Sequence, residues 1–171
     1  MMNAINWPKE YLPGTTQNFV SNEKIIANMT AEEVWPYLNN TSMWPKYYSN
    51  ASDIHFYNEP GPNLNNNTRF RFTTFGFIVE GEVLEHVIPT DGTVGRLAWH
   101  GWSGDTEDTK LDVYHAWLIE NLPGGRVRIL TQESQIGKPA EQLAKEKPNP
   151  MINGHQDWLD GLVDAVQNNL K

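Results

Sequence analysis

The sequence predicts an α+β domain in which a curved antiparallel sheet of seven strands wraps one long C-terminal helix. Three observations lead there. Seven runs have strand character, six of them in close succession with turn residues in every gap. Two short helical segments sit between the first run and the second, and from residue 151 the apolar period changes from that of a strand to that of a helix. Such a sheet cannot bury its apolar face unaided, and the terminal helix is the only element long enough to cover it.

The elements follow in order. Residues 1–16 carry Trp7, Pro8, Leu12, Pro13 and Gly14 without periodicity, which predicts an extended arm tied down by its aromatics. Residues 17–171 then form a single domain, since a chain of 171 residues with 39% hydrophobic and 20% charged residues has the makings of one sizeable core. NFVSNEKIIAN is the first strand. Thr30 and Glu33 make a capping box that starts a helix over TAEEVWPYL, where Pro36 comes early enough to be tolerated. TSMWPKYYS reads as a second short helix capped by Thr41 or Ser42.

The remaining strands are SDIHFYN, TRFRFTTF, FIVEGEVLEHVI, GRLAWHGW, LDVYHAWLIE and RVRILTQES, separated by turn-forming stretches such as PTDG, SGDTED and NLPGG. PAEQLAKEK opens a short helix with Pro139 at its first position. In MINGHQDWLDGLVDAVQNNLK, the residues Ile152, His155, Leu159, Leu162, Val163, Val166 and Leu170 fall on one stripe. Gly154 and Gly161 each weaken that helix by about 1 kcal/mol relative to Ala, a cost that close packing against a small residue can offset.

Charge and composition exclude several classes. With 13 basic and 21 acidic residues the net charge is −8, which opposes binding to nucleic acid or an anionic membrane. The absence of cysteine removes disulfides, thiolate metal sites and cysteine nucleophiles. No basic and apolar leader opens the chain, and no stretch approaches the roughly 20 apolar residues of a membrane span, so a cytoplasmic monomer or homodimer is expected. Five histidines are present, but none are spaced His-x-x-x-His or His-x-His, and neither a metal nor a cofactor is expected.

Strand alternation selects the face toward the helix: Phe70, Phe72 and Thr74; Val79, Gly81 and Val83; Leu97 and Trp99; His115, Trp117 and Ile119; Val127, Ile129, Thr131 and Glu133. Nearly all are apolar. Thr74, His115, Thr131 and Glu133 are the exceptions, and the helix stripe adds His155. VYHAWLIE is apolar on both faces, so Tyr114 and Leu118 on its outer side need a cover from the arm or from a partner subunit. Glu85 shares the inner parity but lies near a turn, where solvent is expected.

A cavity lined by this face would present few polar anchors. His115 with Glu133 could serve as base and orienter in proton transfer, although a buried histidine is more often a satisfied core residue. Glu133 stands close to the strand exit at Gln135, Ile136 and Gly137, where a carboxylate is as readily solvated as buried. Trp44, Tyr47 and Tyr48 on the second short helix are expected at the cavity entrance.

The chain resembles the START-like helix-grip superfamily, also called SRPBCC, over nearly its whole length, and within it the bacterial polyketide cyclase or dehydrase branch. The resemblance is carried by Ala31-Glu32-Glu33-Val34-Trp35, Trp44-Pro45, Thr68 to Phe72, Thr74-Phe75-Gly76-Phe77 and Leu97-Ala98-Trp99. It continues in Tyr114 to Glu120, Thr131-Gln132-Glu133-Ser134 with Gly137, and His155-Gln156-Asp157-Trp158-Leu159. It implies the helix-grip fold and a cavity between sheet and C-terminal helix that takes a small hydrophobic or aromatic ligand, lipid-like or polyketide-like. Two alternatives stay open: a cyclase or dehydratase using His115 and Glu133 as acid and base, and a regulatory protein-interaction domain. The site residues expected on this basis are Trp44, Tyr47, Tyr48, Phe72, Thr74, Trp99, His115, Trp117, Thr131, Glu133 and His155.

Overall fold

The computed structural model describes residues 1–171. Strand β1 (Asn18–Ala27) is followed by helices α1 (Ala31–Asn39) and α2 (Trp44–Tyr47). Then come β2 (Ser52–Phe56), β3 (Arg69–Thr74), β4 (Phe77–Val87), β5 (Gly95–Ser103), β6 (Leu111–Leu122) and β7 (Arg126–Ile136). Helices α3 (Lys138–Lys145) and α4 (Pro150–Gln167) close the chain. All strands are antiparallel in one seven-stranded sheet ordered β1-β7-β6-β5-β4-β3-β2, so the first strand pairs with the last and the hairpins run outward from there. This is the expected α+β helix-grip architecture. No helix is long and apolar enough to cross a membrane.

Local chemistry sets the element ends. The Thr30 Oγ1 accepts from the Glu33 amide at 3.2 Å and the Glu33 carboxylate accepts from the Thr30 amide at 2.8 Å, completing the capping box of α1. The next turn is capped one residue earlier than expected: Asn40 Oδ1, rather than Thr41 or Ser42, accepts from the Ser42 amide. Pro139 is the second residue of α3, not the first, because the helix already includes Lys138. On α4, Asn149 accepts from the Met151 amide as the cap. Ile152 is exposed and Leu170 lies beyond the helix, so the buried stripe is His155, Leu159, Leu162, Val163 and Val166 with Trp158 beside it.

Alternation along β4 breaks once. Val83 pairs with Trp99 but Glu85 pairs with Ala98, so Leu84 is an extra residue in a bulge. Beyond it the faces exchange: Glu85 turns to the outer side and accepts from Asn6 Nδ2 at 2.8 Å. His86 turns inward, with Nε2 3.0 Å from Asn39 Oδ1 and its ring edge-on to Trp35.

The main core fills the space between the concave face and α4. Trp44, Trp99, Trp117 and Trp158 are all fully buried in it. The Trp44 ring lies 5.0 Å from Trp158, 5.4 Å from Phe72 and 5.8 Å from Trp99, and its Nε1 donates to the Leu38 carbonyl at 2.8 Å. A second cluster lies on the opposite face, where Ile5, Trp7 and Tyr11 cover Ala98, Tyr114, Ala116, Leu118 and Leu130. Glu120 accepts from the Asn3 amide and side chain, Arg128 donates to the Asn3 carbonyl, and Tyr11 donates to Asp112 at 2.6 Å. Both faces of β6 are therefore covered from within the chain.

Gly161 marks where α2 meets α4. A β-carbon there would lie 2.2 Å from the Tyr47 carbonyl oxygen, a backbone atom that no rotamer change can move. Helix propensity favours Ala at this position by about 1 kcal/mol, whereas overpacking a tight contact costs about 1–3 kcal/mol. Gly161→Ala is expected to lower the urea-unfolding free energy in spite of the better helix former. A variant more stable than the wild type would show that α2 is not seated on α4.

Candidate functional site

Pairing register brings the site together. Trp99, His115, Glu133 and Val20 lie opposite one another across β5, β6, β7 and β1, forming a row on the concave face. Helix α4 brings His155 over that row. Its ring stacks on His115 with centroids 4.5 Å apart and planes 17° from parallel.

The polar contacts are specific. His115 Nδ1 is 3.4 Å from Glu133 Oε1, and His115 Nε2 is 2.8 Å from the Thr131 hydroxyl. His155 Nε2 is 4.0 Å from Glu133 Oε2, while His155 Nδ1 is buried without a hydrogen-bond partner. On the other side, Asn149 Nδ2 donates to Asn18 Oδ1 at 2.9 Å and Asn18 Nδ2 donates to Gln135 Oε1 at 2.8 Å. Gln135 Nε2 then donates to Glu133 Oε2. The cap of α4, the start of β1 and the end of β7 thus form one line of donors pointing at the Glu133 carboxyl.

Burial decides the charge states. His115, Glu133 and His155 are 2%, 5% and 1% exposed. Burial pushes the Glu133 carboxyl up to about 8, against the Gln135 hydrogen bond that favours its ionised form. It pushes His155 down to about 4, and His115 well below the usual imidazole range, the latter also through the neighbouring His155. At neutral pH Glu133 therefore keeps its proton and both imidazoles are uncharged. The cluster is an acid beside two bases, not an ion pair.

These groups line a cavity of about 40 Å³, room for a few water molecules. Its wall is otherwise mostly apolar, with Phe72, Phe75, Trp99, Leu143, Met151 and Trp158 among the lining residues. Of the residues expected from the sequence, Phe72, Thr74, Trp99, His115, Glu133 and His155 meet there. Trp44, Tyr47, Tyr48, Trp117 and Thr131 do not line it. Trp44 has turned into the core, Tyr48 stacks on Trp158 at 4.8 Å, and Tyr47 donates from its hydroxyl to the Tyr37 carbonyl, so α2 plugs the domain instead of framing an entrance. Trp117 sits one step along β6, 5.3 Å from Trp158, and Thr131 reaches the site through His115.

Sequence reasoning missed Gln135, Asn18, Asn149 and Phe75. Gln135 shares the face of Glu133 by alternation and would have been found by extending β7 to Ile136. Asn149 carried a cap signal in front of Pro150. Phe75 sits in the two-residue β3–β4 turn with φ +52°, its amide donating to Asn50 Oδ1 at 2.8 Å. Its ring lies against α4 so closely that a β-carbon on Gly154 would be 2.1 Å from it. The donor atoms of His115, Glu133 and His155 all fall within 4.8 Å of one another, a convergence that local histidine spacing could not reveal.

No protein-family model matches the chain, and neither does any curated protein. Among solved structures, hypothetical protein jhp0584 from Helicobacter pylori is 53% identical over 97% of this chain and 98% of that one, with a TM-score of 0.93. Norcoclaurine synthase from Thalictrum flavum is 11% identical over 98% of this chain and 99% of its own, with a TM-score of 0.63. The di-domain ARO/CYC BexL from the BE-7585A biosynthetic pathway is 12% identical over 88% of this chain and 48% of its own, with a TM-score of 0.59. At such low identities the last two share the fold alone. The chain belongs to one family with the Helicobacter pylori protein, and it shares the helix-grip fold with the other two.

Proposed function

We propose that the protein binds a small, mainly apolar molecule between the concave sheet and α4, with one hydrogen-bonding group of that molecule meeting His115 and Glu133. The observation that carries this reading is an acid and two imidazoles buried in the wall of an otherwise mostly apolar cavity. The cavity volume of about 40 Å³ limits what can enter without rearrangement. A single aromatic ring with a carbonyl or hydroxyl group requires one rim residue to move, whereas a long acyl chain or a polycyclic polyketide would have to displace the tryptophan core.

Phe75 is the residue best placed to move. A non-glycine residue in the left-handed region is held at a cost of about 1–3 kcal/mol, and such positions concentrate at ligand clamps. It belongs to a hairpin tip rather than to the sheet interior. Trp99 and Trp158 line the cavity, so occupancy should alter tryptophan emission. Titration with single-ring aromatic ketones and phenols is expected to change that emission saturably and to raise the melting temperature. A ligand at 100 times its Kd adds about 2.7 kcal/mol. Phe75→Ala is expected to speed both uptake and release. No response across such a panel from either protein would overturn the binding reading.

A second reading, acid and base catalysis on the bound molecule, is favoured by the protonation of the pair: Glu133 holds a proton at neutral pH while His115 lies 3.4 Å away with a free imidazole. The proton inventory can be checked through stability. Between about pH 6.5 and pH 8 the folded protein keeps the Glu133 proton and the unfolded chain does not. Stability therefore falls with rising pH by up to about 1.4 kcal/mol per unit. Between about pH 4 and pH 6.5 the histidines act in the opposite sense, because the unfolded chain protonates them and the folded one does not. A maximum near pH 6.5 is expected for the metal-free wild type, and Glu133→Gln should lose the decline above it. Equal slopes in the two proteins would mean that Glu133 ionises as an ordinary carboxylic acid.

A further inference from the structure

The geometry points to a metal site: we propose that His115, His155 and Glu133 bind one divalent first-row transition cation, such as zinc or ferrous iron, with coordination positions left open toward the cavity. Two neutral imidazoles and one carboxylate are the donor set of catalytic zinc centres and of mononuclear non-haem iron centres. The inference stands on the donor geometry and does not depend on the identity of any organic ligand.

Four observations support it. The donor atoms lie within 4.8 Å of one another and come from two neighbouring strands and the facing helix, so the cluster is built from both sides of the space between sheet and α4. His115 Nδ1 and Glu133 Oε1 are 3.4 Å apart, the separation of two ligands on a tetrahedral ion with bonds of about 2.0–2.2 Å. His155 Nε2 is 4.0 Å from Glu133 Oε2, and its ring swings out of the stack with His115 to aim that nitrogen's lone pair at the same ion. His155 is 1% exposed and Nδ1 has no partner, leaving the ring unfixed by any hydrogen bond through that atom.

The surrounding groups have the form that ligands require. Nε2 of His115 lies 2.8 Å from the Thr131 hydroxyl, and the tautomer that donates from Nε2–H to that oxygen leaves the Nδ1 lone pair facing Glu133. Gln135, held by Asn18, fixes the far carboxyl oxygen, and Asn18 is held in turn by the cap of α4. Thr131 is therefore a positioning residue, and the helix that carries His155 is tied to the strand that carries Glu133. His86 and His100 are engaged elsewhere, with Asn39 and Asp112 respectively.

The test uses the full untagged chain, stripped with a chelator and titrated with cobalt(II) alone. One equivalent is expected to bind with a visible absorption band that zinc(II) abolishes by competition. Glu133→Gln and His155→Gln, each checked for native circular dichroism, should lose that band, while His100→Gln and His55→Gln should keep it. Thr131→Val retains all three ligands and should weaken cobalt binding about 10–100-fold, so it decides the matter if a ligand variant fails to fold. A band that survives in Glu133→Gln and His155→Gln, one that vanishes with His100→Gln, or no stoichiometric binding by the wild type would overturn the proposal.

Discussion

How much of the concave face stays open depends on one packing event, the meeting of Trp44, Trp99, Trp117 and Trp158 between sheet and α4. Aromatic side chains of this size bury about 150–250 Å² each. Here they arrive from four separate elements, α2, β5, β6 and α4. The short helix α2 has only four residues and no side-chain cap, so its position is owed to the burial of Trp44 rather than to its own helical stability. Once Trp44 is seated against Phe72, Trp99 and Trp158, the space left beneath α4 is the small cavity that these three residues line together with His115 and Glu133. The site is what the tryptophans leave over.

A buried carboxyl in that remainder requires compensation, and the compensation reaches across the fold. The line of amides from Asn149 through Asn18 and Gln135 satisfies Glu133 on one side, and the imidazole of His115 faces it on the other. The same line joins the N-terminus of α4 to the edge where β1 meets β7, so the helix is fixed by hydrogen bonds at one end and by Gly161 against Tyr47 further along. Position and chemistry share their supports. A change at Asn18 or Gln135 acts on the acid and on the seat of the helix together.

The parts legible in the sequence were those set by short-range periodicity. All seven strands, the capping box at Thr30 and Glu33 and the apolar side of α4 follow from patterns confined to about ten residues. The inner-face position of His115 and Glu133 follows from alternation, which held through β6 and β7 because neither strand contains a bulge. Where alternation was interrupted the reading failed: one extra residue at Leu84 sent Glu85 outward and His86 inward. The inward turn of Trp44 was not legible either, because a helix of four residues has no period to display a face. Nor was the convergence of His115, Glu133 and His155, which is produced by the pairing of β6 with β7 and the path of α4 and so belongs to topology rather than to any motif.

The two ends of the cavity differ in rigidity for the same topological reason. The polar end is built on β6 and β7, the longest paired strands, with the main core on their concave face and the N-terminal arm's cluster on the outer face of β6. A group held there keeps its geometry, as proton transfer or metal coordination demands. The rim, by contrast, includes Phe75 at the tip of a hairpin near the free edge of the sheet, with a left-handed backbone secured by one side-chain hydrogen bond and by contact with α4. Local opening concentrates where buried contacts are few, so the rim can yield while the His115, Glu133 and His155 cluster stays in register. Gly154 links these two roles: it is the position on α4 where Phe75 rests, and it immediately precedes His155. The Phe75 ring also meets the His155 ring at 6.2 Å, so the rim residue and the helix residue that completes the polar cluster are direct neighbours.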